Sequence, residues 1–415
     1  LWSDSDAEEQ DSQNMQQNKS DKPIRVLLWA PRGSSELYSG PGSFVYRLYS
    51  TDDRNRFRIT LAHSRDDQPR RDLFEAQHSM GSTGSSWQTW RTINRGAKWA
   101  RQHAGEFDIF HGLGAFHATV LAAWNAERAG LPAVVFVANH RAELVDHKSL
   151  LKRIAGLPAK RRAMVRDLSC LIAMSDAIEE ELLEYGVEPG RIARIPMGVN
   201  VERFRPAADD DERAAARAQM GWPERLTVVF SGAMVRRKQP HLLIEAIARS
   251  AAEGVDAQVA LVGPPQDEDY VAEMRQRAQE LGAADRVIWA GFTETPEIAN
   301  RAADVFSLPS LKEGMSAALV EAMACGLPCV VTPVSGSGDL IDDGVNGRIV
   351  PAEVEPVVEA LLGYLQDASV RRTHGQRARQ VVEQRYSHVA VLNAYEQLFR
   401  RLLRGQPAAA EADSR

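Results

Sequence analysis

Two carboxylates eight residues apart, Glu313 and Glu321, lie in the stretch LPSLKEGMSAALVEAMACGLPCVVTPVSGSGDLIDDGVNGRIV, Leu308 to Val350. The composition between them, rich in Ala, Leu and Met, predicts a helix from Met315 to Ala324. Gly326-Leu327-Pro328 closes it. The apolar runs ending at Leu308 and spanning Cys329 to Thr332 read as buried strands. Along a helix, that spacing is roughly 12 Å. The free N–H groups and the dipole of a helix start favour an anion. A diphosphate held there would leave one hydroxyl-bearing group near each carboxylate, which is the layout of a nucleotide sugar. The competing reading is a solvated helix residue and a loop charge. The glycines, the preceding Pro309-Ser310 and the following strand favour the first.

A cationic cluster complements the acids. Arg236, Arg237 and Lys238 precede a helix predicted over Pro240 to Ala248 and follow a strand predicted over Leu226 to Phe230. Three cations at a helix start oppose its dipole unless an anion sits among them. The competing reading is an ordinary basic helix start. Asp267-Glu268-Asp269 spells a D-x-D, a metal-binding pattern. It follows Pro264-Pro265 and opens a helix predicted over Tyr270 to Leu281, so it reads as a solvated first turn, and no metal is expected. No catalytic triad is visible.

These residues need a scaffold of some size. The chain has 415 residues, which implies two domains. With 44% hydrophobic and 26% charged residues it reads as globular, and its net charge of -6 excludes a bulk basic surface for nucleic acid. Three cysteines, Cys170, Cys325 and Cys329, sit among apolar or small residues, as expected of reduced thiols in a cytoplasmic protein. No apolar run is long enough to span a bilayer. The sequence opens on Leu1, as a fragment or an alternative start would. Strands are predicted at Ile24–Trp29, Phe57–Ala62, Phe107–His111, Ala133–Val137, Leu168–Met174, Gln258–Val262 and Val287–Ala290. Helical stretches alternate with them, which implies two doubly wound parallel sheets with ligands at the strand C-terminal ends.

At these residues the chain resembles the E-x7-E signature of the retaining GT-B glycosyltransferases of family 4, the group 1 transferases. Glu313, Glu321, Ala322, Ala324, Gly326, Pro328, Gly336, Gly344, Asn346 and Gly347 match it. The resemblance implies an α/β GT-B fold, two Rossmann-like domains facing across a cleft. It implies that Glu313 contacts the donor sugar and Glu321 the ribose hydroxyls. Gly263, Phe292, Gly314, Met315 and Ser316 complete the expected donor side. Gly232 to Lys238 matches the family's G-R-L-x-x-x-K phosphate loop, except that Ala233 stands where Arg is usual. Lys238 keeps its place, and Arg236 or Arg237 is expected to supply the missing charge. Gly40 and Gly42 resemble the first glycine loop, which faces the donor phosphates and the acceptor. His140 is the choice for the first-domain catalytic histidine, with His111 the alternative at the end of a D-hydrophobic-hydrophobic-H strand. Asp339 replaces the usual Glu.

The implied reaction has no protein nucleophile and no cofactor. The acceptor hydroxyl attacks on the face from which the diphosphate departs. The expected donor is a nucleotide-diphosphate sugar, and the expected acceptor a glycan or lipid-linked hydroxyl in envelope or exopolysaccharide synthesis. The alternatives are a nucleotide-sugar epimerase on this fold and a non-catalytic partner subunit. The expected layout is a disordered tail at 1–22, an acceptor-side domain at 23–205 completed by a helix at 387–404, a nucleotide-sugar domain at 206–386, and a disordered tail at 405–415. In this family the final helix crosses back to the first domain. Residues 148–166 carry seven Lys or Arg and no acid. They read as a contact with an anionic membrane surface, which would make the protein peripheral on the inner face.

Overall fold

In the computed structural model the described residues are 22–30, 48–49, 52, 56–63, 74–81, 86–137, 144 and 157–409. The expectations for Gly40, Gly42, His140, the N-terminal tail up to residue 21 and residues 148–156 lie outside them. The chain divides into two units, one made of 1–174, 178–195 and 392–415, the other of 175–177 and 196–391.

Unit 1 carries a seven-stranded sheet. Its strands are β1 (Ile24–Ala30), β2 (Phe57–His63), β3 (Ala76–Ser79), β4 (Ile109–Leu113), β5 (Ala133–Val137), β6 (Cys170–Ala173) and β7 (Ile192–Arg194). They are ordered β3-β2-β1-β4-β5-β6-β7, and every pairing is parallel. β5 and β6 are buried at every position, as a sheet covered on both faces requires. The helices of this unit are α1 (Ser86–Gln102), α2 (His117–Glu127), α3 (Leu157–Asp167) and, from Ile178 onward, α4 (Asp176–Glu184). β3 reads Ala-Gln-His-Ser and is half exposed at the sheet edge. With no apolar run it gave no strand signal.

Unit 2 carries a six-stranded parallel sheet. Its strands are β8 (Leu226–Ser231), β9 (Ala257–Val262), β10 (Val287–Gly291), β11 (Val305–Leu308), β12 (Cys329–Val331) and β13 (Gly347–Ile349). The order is β10-β9-β8-β11-β12-β13, so the winding reverses between β8 and β11. Its helices are α5 (Asp210–Met220), α6 (His241–Ala252), α7 (Glu268–Glu280), α8 (Pro296–Ala302), α9 (Ala317–Ala324), the short α10 (Ser337–Leu340), α11 (Val354–Gln366) and α12 (Ala368–Arg385). Helix α13 (His388–Leu403) begins in this unit and continues in unit 1 from Leu392.

The chain leaves unit 1 at Ile195, ahead of the boundary expected at Arg205. Backbone bonds explain the difference. Val199 N–H donates to Tyr386 O, and His388 N–H to Val199 O. Arg379 donates to the carbonyls of Val201, Phe204 and Ala324. The segment from Pro196 to Phe204 is therefore tied to α12 and to the end of α9. At the other end, Ala408 is buried and its N–H donates to Gly190 O. Arg401 donates to Ala408 O at 2.8 Å. Residues 405–409, expected in the C-terminal tail, are fixed against unit 1 by these bonds.

α5 is built on Asp304. This buried carboxylate accepts from Arg217 at 2.7 Å, from Arg213 at 3.2 Å and from the Thr227 N–H at 2.8 Å. Asp209 caps the helix by accepting from Glu212 N–H, and Gly221 closes it at φ 67°.

Candidate active site

The order reverses between β8 and β11, and ligands of open α/β sheets bind beyond the carboxyl ends of the strands at such a switch point. Three glycines close the strand ends there. Gly232 N–H donates to Val262 O at 2.8 Å and Gly263 N–H to Gly291 O at 2.7 Å. Gly263 has φ 141°, and a Cβ on it would lie 2.0 Å from the Gly232 carbonyl oxygen. At these glycines the loops after β8 and β9 meet backbone to backbone. Gly232, at φ 156°, leaves the room taken by the Lys238 side chain, whose carbons a Cβ there would meet at 3.2 Å.

After Gly232 the chain forms a short 3-10 turn, Arg236–Lys238, ending on Gln239 in the left-handed region at φ 48°. The three cations then part. Lys238 turns inward, is 9% exposed, and donates from Nζ to Glu313 Oε1 at 2.7 Å. Arg237 donates to the same oxygen at 3.3 Å and to Lys312 O at 3.1 Å. Leu311 N–H donates to Arg237 O at 2.7 Å, so backbone also ties this loop to the one after β11. Arg236 points elsewhere. It pairs with Glu273 at 2.6 Å, lies 3.7 Å from Asp267, and stacks 5.1 Å over the Tyr270 ring. Of the two candidates for the charge missing at Ala233, Arg237 reaches Glu313 and Arg236 is engaged by α7.

Glu313 has a third partner that the sequence did not suggest. Ser310 Oγ donates to Glu313 Oε1 at 2.8 Å. Ser310 is fully buried, and its carbonyl accepts from Thr332 Oγ1. Thr332 O in turn accepts from Ser337 Oγ at 2.8 Å. This chain of hydroxyls links the ends of β11 and β12 to the start of α10. Its only sequence signal is a polar residue closing each apolar run.

The helix bearing Glu321 is shorter than predicted. It starts at Ala317, capped by Ser316, whose Oγ accepts from Leu319 N–H at 3.4 Å. Glu313 lies in the loop before the helix, as expected, so helical rise does not set its separation from Glu321. Gly314, Met315 and Ser316 form the loop between, and Met315 is 6% exposed. Gly336, at φ 81°, faces that loop so closely that a Cβ would lie 3.2 Å from Gly314 O. Glu321 is half buried on α9. Phe292, after β10, is 73% exposed. Asp339 accepts from Asp176 N–H at 3.3 Å, and its carbonyl accepts from Tyr386 Oη at 2.8 Å.

Asp267 is the N-cap of α7, accepting from Tyr270 N–H at 3.0 Å, which is the first-turn role read from the sequence. Tyr270 Oη also lies 2.6 Å from His241 Nδ1. Burial lowers the proton affinity of His241 and pushes the Tyr270 hydroxyl up to about 12.

His111 is corrected by the structure. It was expected to end a strand, but β4 continues to Leu113 and His111 is fully buried in mid-strand. Its Nδ1 lies 3.0 Å from Tyr49 Oη, and its ring lies among those of Tyr395 and Phe399 of α13. Burial drives its pKa down to about 3, so it is a neutral core imidazole.

With this geometry in view, two family models match. "Glycosyl transferase 4-like domain" covers residues 39–198 and "Glycosyl transferases group 1" covers 212–381. The chain belongs to the group 1 glycosyltransferases, family 4 of the GT-B fold. It is 32% identical over 268 residues to a D-inositol 3-phosphate glycosyltransferase of Streptomyces bingchenggensis, covering 61% of this chain and 57% of that one. The chain spans between 47% and 66% of the length of the curated relatives it matches. HepE of Anabaena, solved in complex with UDP, aligns at a TM-score of 0.73 with 19% identity, over 90% of this chain and 98% of that one. A glycosyltransferase of Rickettsia africae aligns at a TM-score of 0.76 with 15% identity, over 92% and 100%. These likenesses establish the GT-B fold.

Proposed function

We propose that the protein is a retaining, metal-independent glycosyltransferase that moves a sugar from a nucleotide diphosphate to a hydroxyl acceptor. The observation that carries this is the Lys238–Glu313 pair with Arg237 beside it, at the sheet's switch point. It brings an ammonium and a carboxylate within one hydrogen bond of each other. A nucleotide sugar needs both at that separation, because its diphosphate is bonded directly to the sugar. Lys238 and Arg237 meet the charge of the leaving diphosphate, Glu313 orients the sugar, and Glu321 binds the ribose. The departing phosphate oxygen takes the acceptor proton, so retention needs no protein nucleophile. His140 remains the proposed first-domain histidine, and Gly40 and Gly42 the proposed loop facing the donor phosphates and the acceptor.

Uridine nucleotides are the first donors to test, since the HepE structures hold UDP and UDP-glucose. The acceptor is proposed to be a glycan or lipid-linked hydroxyl. A second reading, a phosphorylated inositol, is favoured by the name of the relatives at about 30% identity. Thermal shift with a panel of nucleotide sugars, followed by transfer assays on both acceptor classes, tests the proposal. Ligand binding to the native state raises its melting temperature. If no nucleotide sugar shifts the transition, the donor site is wrongly assigned.

Peripheral attachment to anionic membrane, proposed for 148–166, rests on fewer free cations than the sequence suggests. Arg161 is buried and donates to Ala115 O at 2.7 Å, and Arg162 lies over Tyr185. Lys160 and Arg166 stay exposed. α1 adds Arg91, Arg95, Lys98 and Arg101, all exposed and without an acid on that helix, together with an exposed Trp87. No helix among the described residues is long and apolar enough to cross a membrane.

A further inference from the structure

We propose that Glu313 is an internal counter-ion which the donor must share, and that it lowers the affinity of the site for a bare nucleoside diphosphate. This deepens the reading of the loops around Lys238 and Glu313 as a nucleotide-sugar site, and rests on it.

The argument starts from the cost of burying Lys238. An ammonium withdrawn from water requires an anion close by. Glu313 is that anion, at 2.7 Å, with both side chains 11% exposed. Arg237 and Ser310 bind the same carboxylate oxygen. All three bonds fall on Oε1. The two cations best placed for a diphosphate are therefore already neutralised in part, and one negative charge stands beside the place where phosphate must come. Ala233 adds nothing to offset it, and Arg236 is held by Glu273 and Asp267.

The carboxylate then acts with opposite sign on two ligands. A nucleotide sugar recovers the repulsion, because its sugar hydroxyls donate to Glu313. A nucleoside diphosphate has no such hydroxyl there and carries additional charge on its terminal phosphate. Glu313 thus favours donor over spent nucleotide and promotes release of the product.

Calorimetric titration of UDP, ADP and GDP into the parent and into Glu313→Gln tests this. Glutamine keeps the length of the side chain and removes its charge. The expected result is that the nucleotide bound by the parent binds Glu313→Gln about tenfold more tightly, the scale of one charged hydrogen bond released. The gain should shrink when Lys238→Met is added, since only the direct repulsion and the Arg237 contact then remain. UDP-glucose serves as the donor probe, and its affinity should fall or stay level in Glu313→Gln, so the two ligands move apart. Diphosphate binding that is unchanged or weaker in Glu313→Gln, with its fold intact by circular dichroism, overturns the proposal while leaving the nucleotide site standing. Should Glu313→Gln not fold, Ser310→Ala loosens the carboxylate without removing it, and the diphosphate-to-donor affinity ratio must still shift; an unchanged ratio overturns the proposal. No binding of any nucleotide to the parent overturns both the proposal and the site.

Discussion

Lys238 is the residue on which most depends. Its ammonium is buried and aimed at Glu313. Lys238→Ala leaves Glu313 with Arg237 and Ser310 but removes the cation nearest the proposed diphosphate. Nucleotide affinity should fall by about 1.5–3 kcal/mol, the scale of a charged hydrogen bond, in calorimetric titration. Glu321→Ala should cost a similar ~1.5–3 kcal/mol in nucleotide binding, whereas Glu313→Ala should lower turnover more than donor affinity. If both carboxylate variants transfer sugar at the parent rate, the donor assignment fails. Glu313, Lys238 and the candidate arginines were legible in the sequence because their types and spacing form a pattern. Which arginine reaches Glu313 was not legible, since neighbours in sequence point apart in the turn, one to Glu313 and the other to Glu273. Ser310 was read only as the end of a strand. Its role depends on Thr332 and Ser337 of later elements.

Elements set these residues through close backbone approach. Gly263→Ala forces a Cβ into the Gly232 carbonyl from a left-handed backbone. It should destabilise by more than ~1–3 kcal/mol, the cost of one strained backbone position, visible as a lower melting temperature with loss of nucleotide binding. A parent-like melting temperature would show that the two loops need not touch. In unit 1, β4 and α13 bury His111 as a neutral group. The unfolded chain protonates it below about 6.5, while the fold does not until about 3. Its contribution is therefore present above pH 6.5 and is lost as pH falls from there toward 3, at up to ~1.4 kcal/mol per pH unit. Denaturant midpoints from pH 7 to 4 should fall less steeply in His111→Gln. The strands with continuous apolar runs were legible within a residue or two, as for Ala133–Val137 and Val305–Leu308. β3 and β13 were not, because edge strands carry polar or short sequences. α5 was hidden because Asp304, which organises it, lies far along the chain.

At the scale of the molecule, charge neutralisation in the proposed reaction falls to protein cations. Transfer should survive a strong chelator. Loss restored by Mg²⁺ or Mn²⁺ would return Asp267 and Asp269 to consideration, although Asp267 now serves as a helix cap. Vesicle sedimentation should show binding to anionic lipid that salt reverses. Equal recovery in the supernatant on neutral and anionic lipid would leave the α1 and α3 cations as a solvated face. The two-unit plan and the doubly wound sheets followed from alternating strands and helices, while the donor base, the sugar and the acceptor belong to the site and not to the fold. Retention is tested by the anomeric configuration of the product. Supplied with an α-linked nucleotide sugar and an acceptor it uses, the protein should form an α-glycoside, read from the anomeric proton coupling in a time-resolved NMR spectrum. A β-linked product, or no glycoside from any nucleotide sugar, would contradict it.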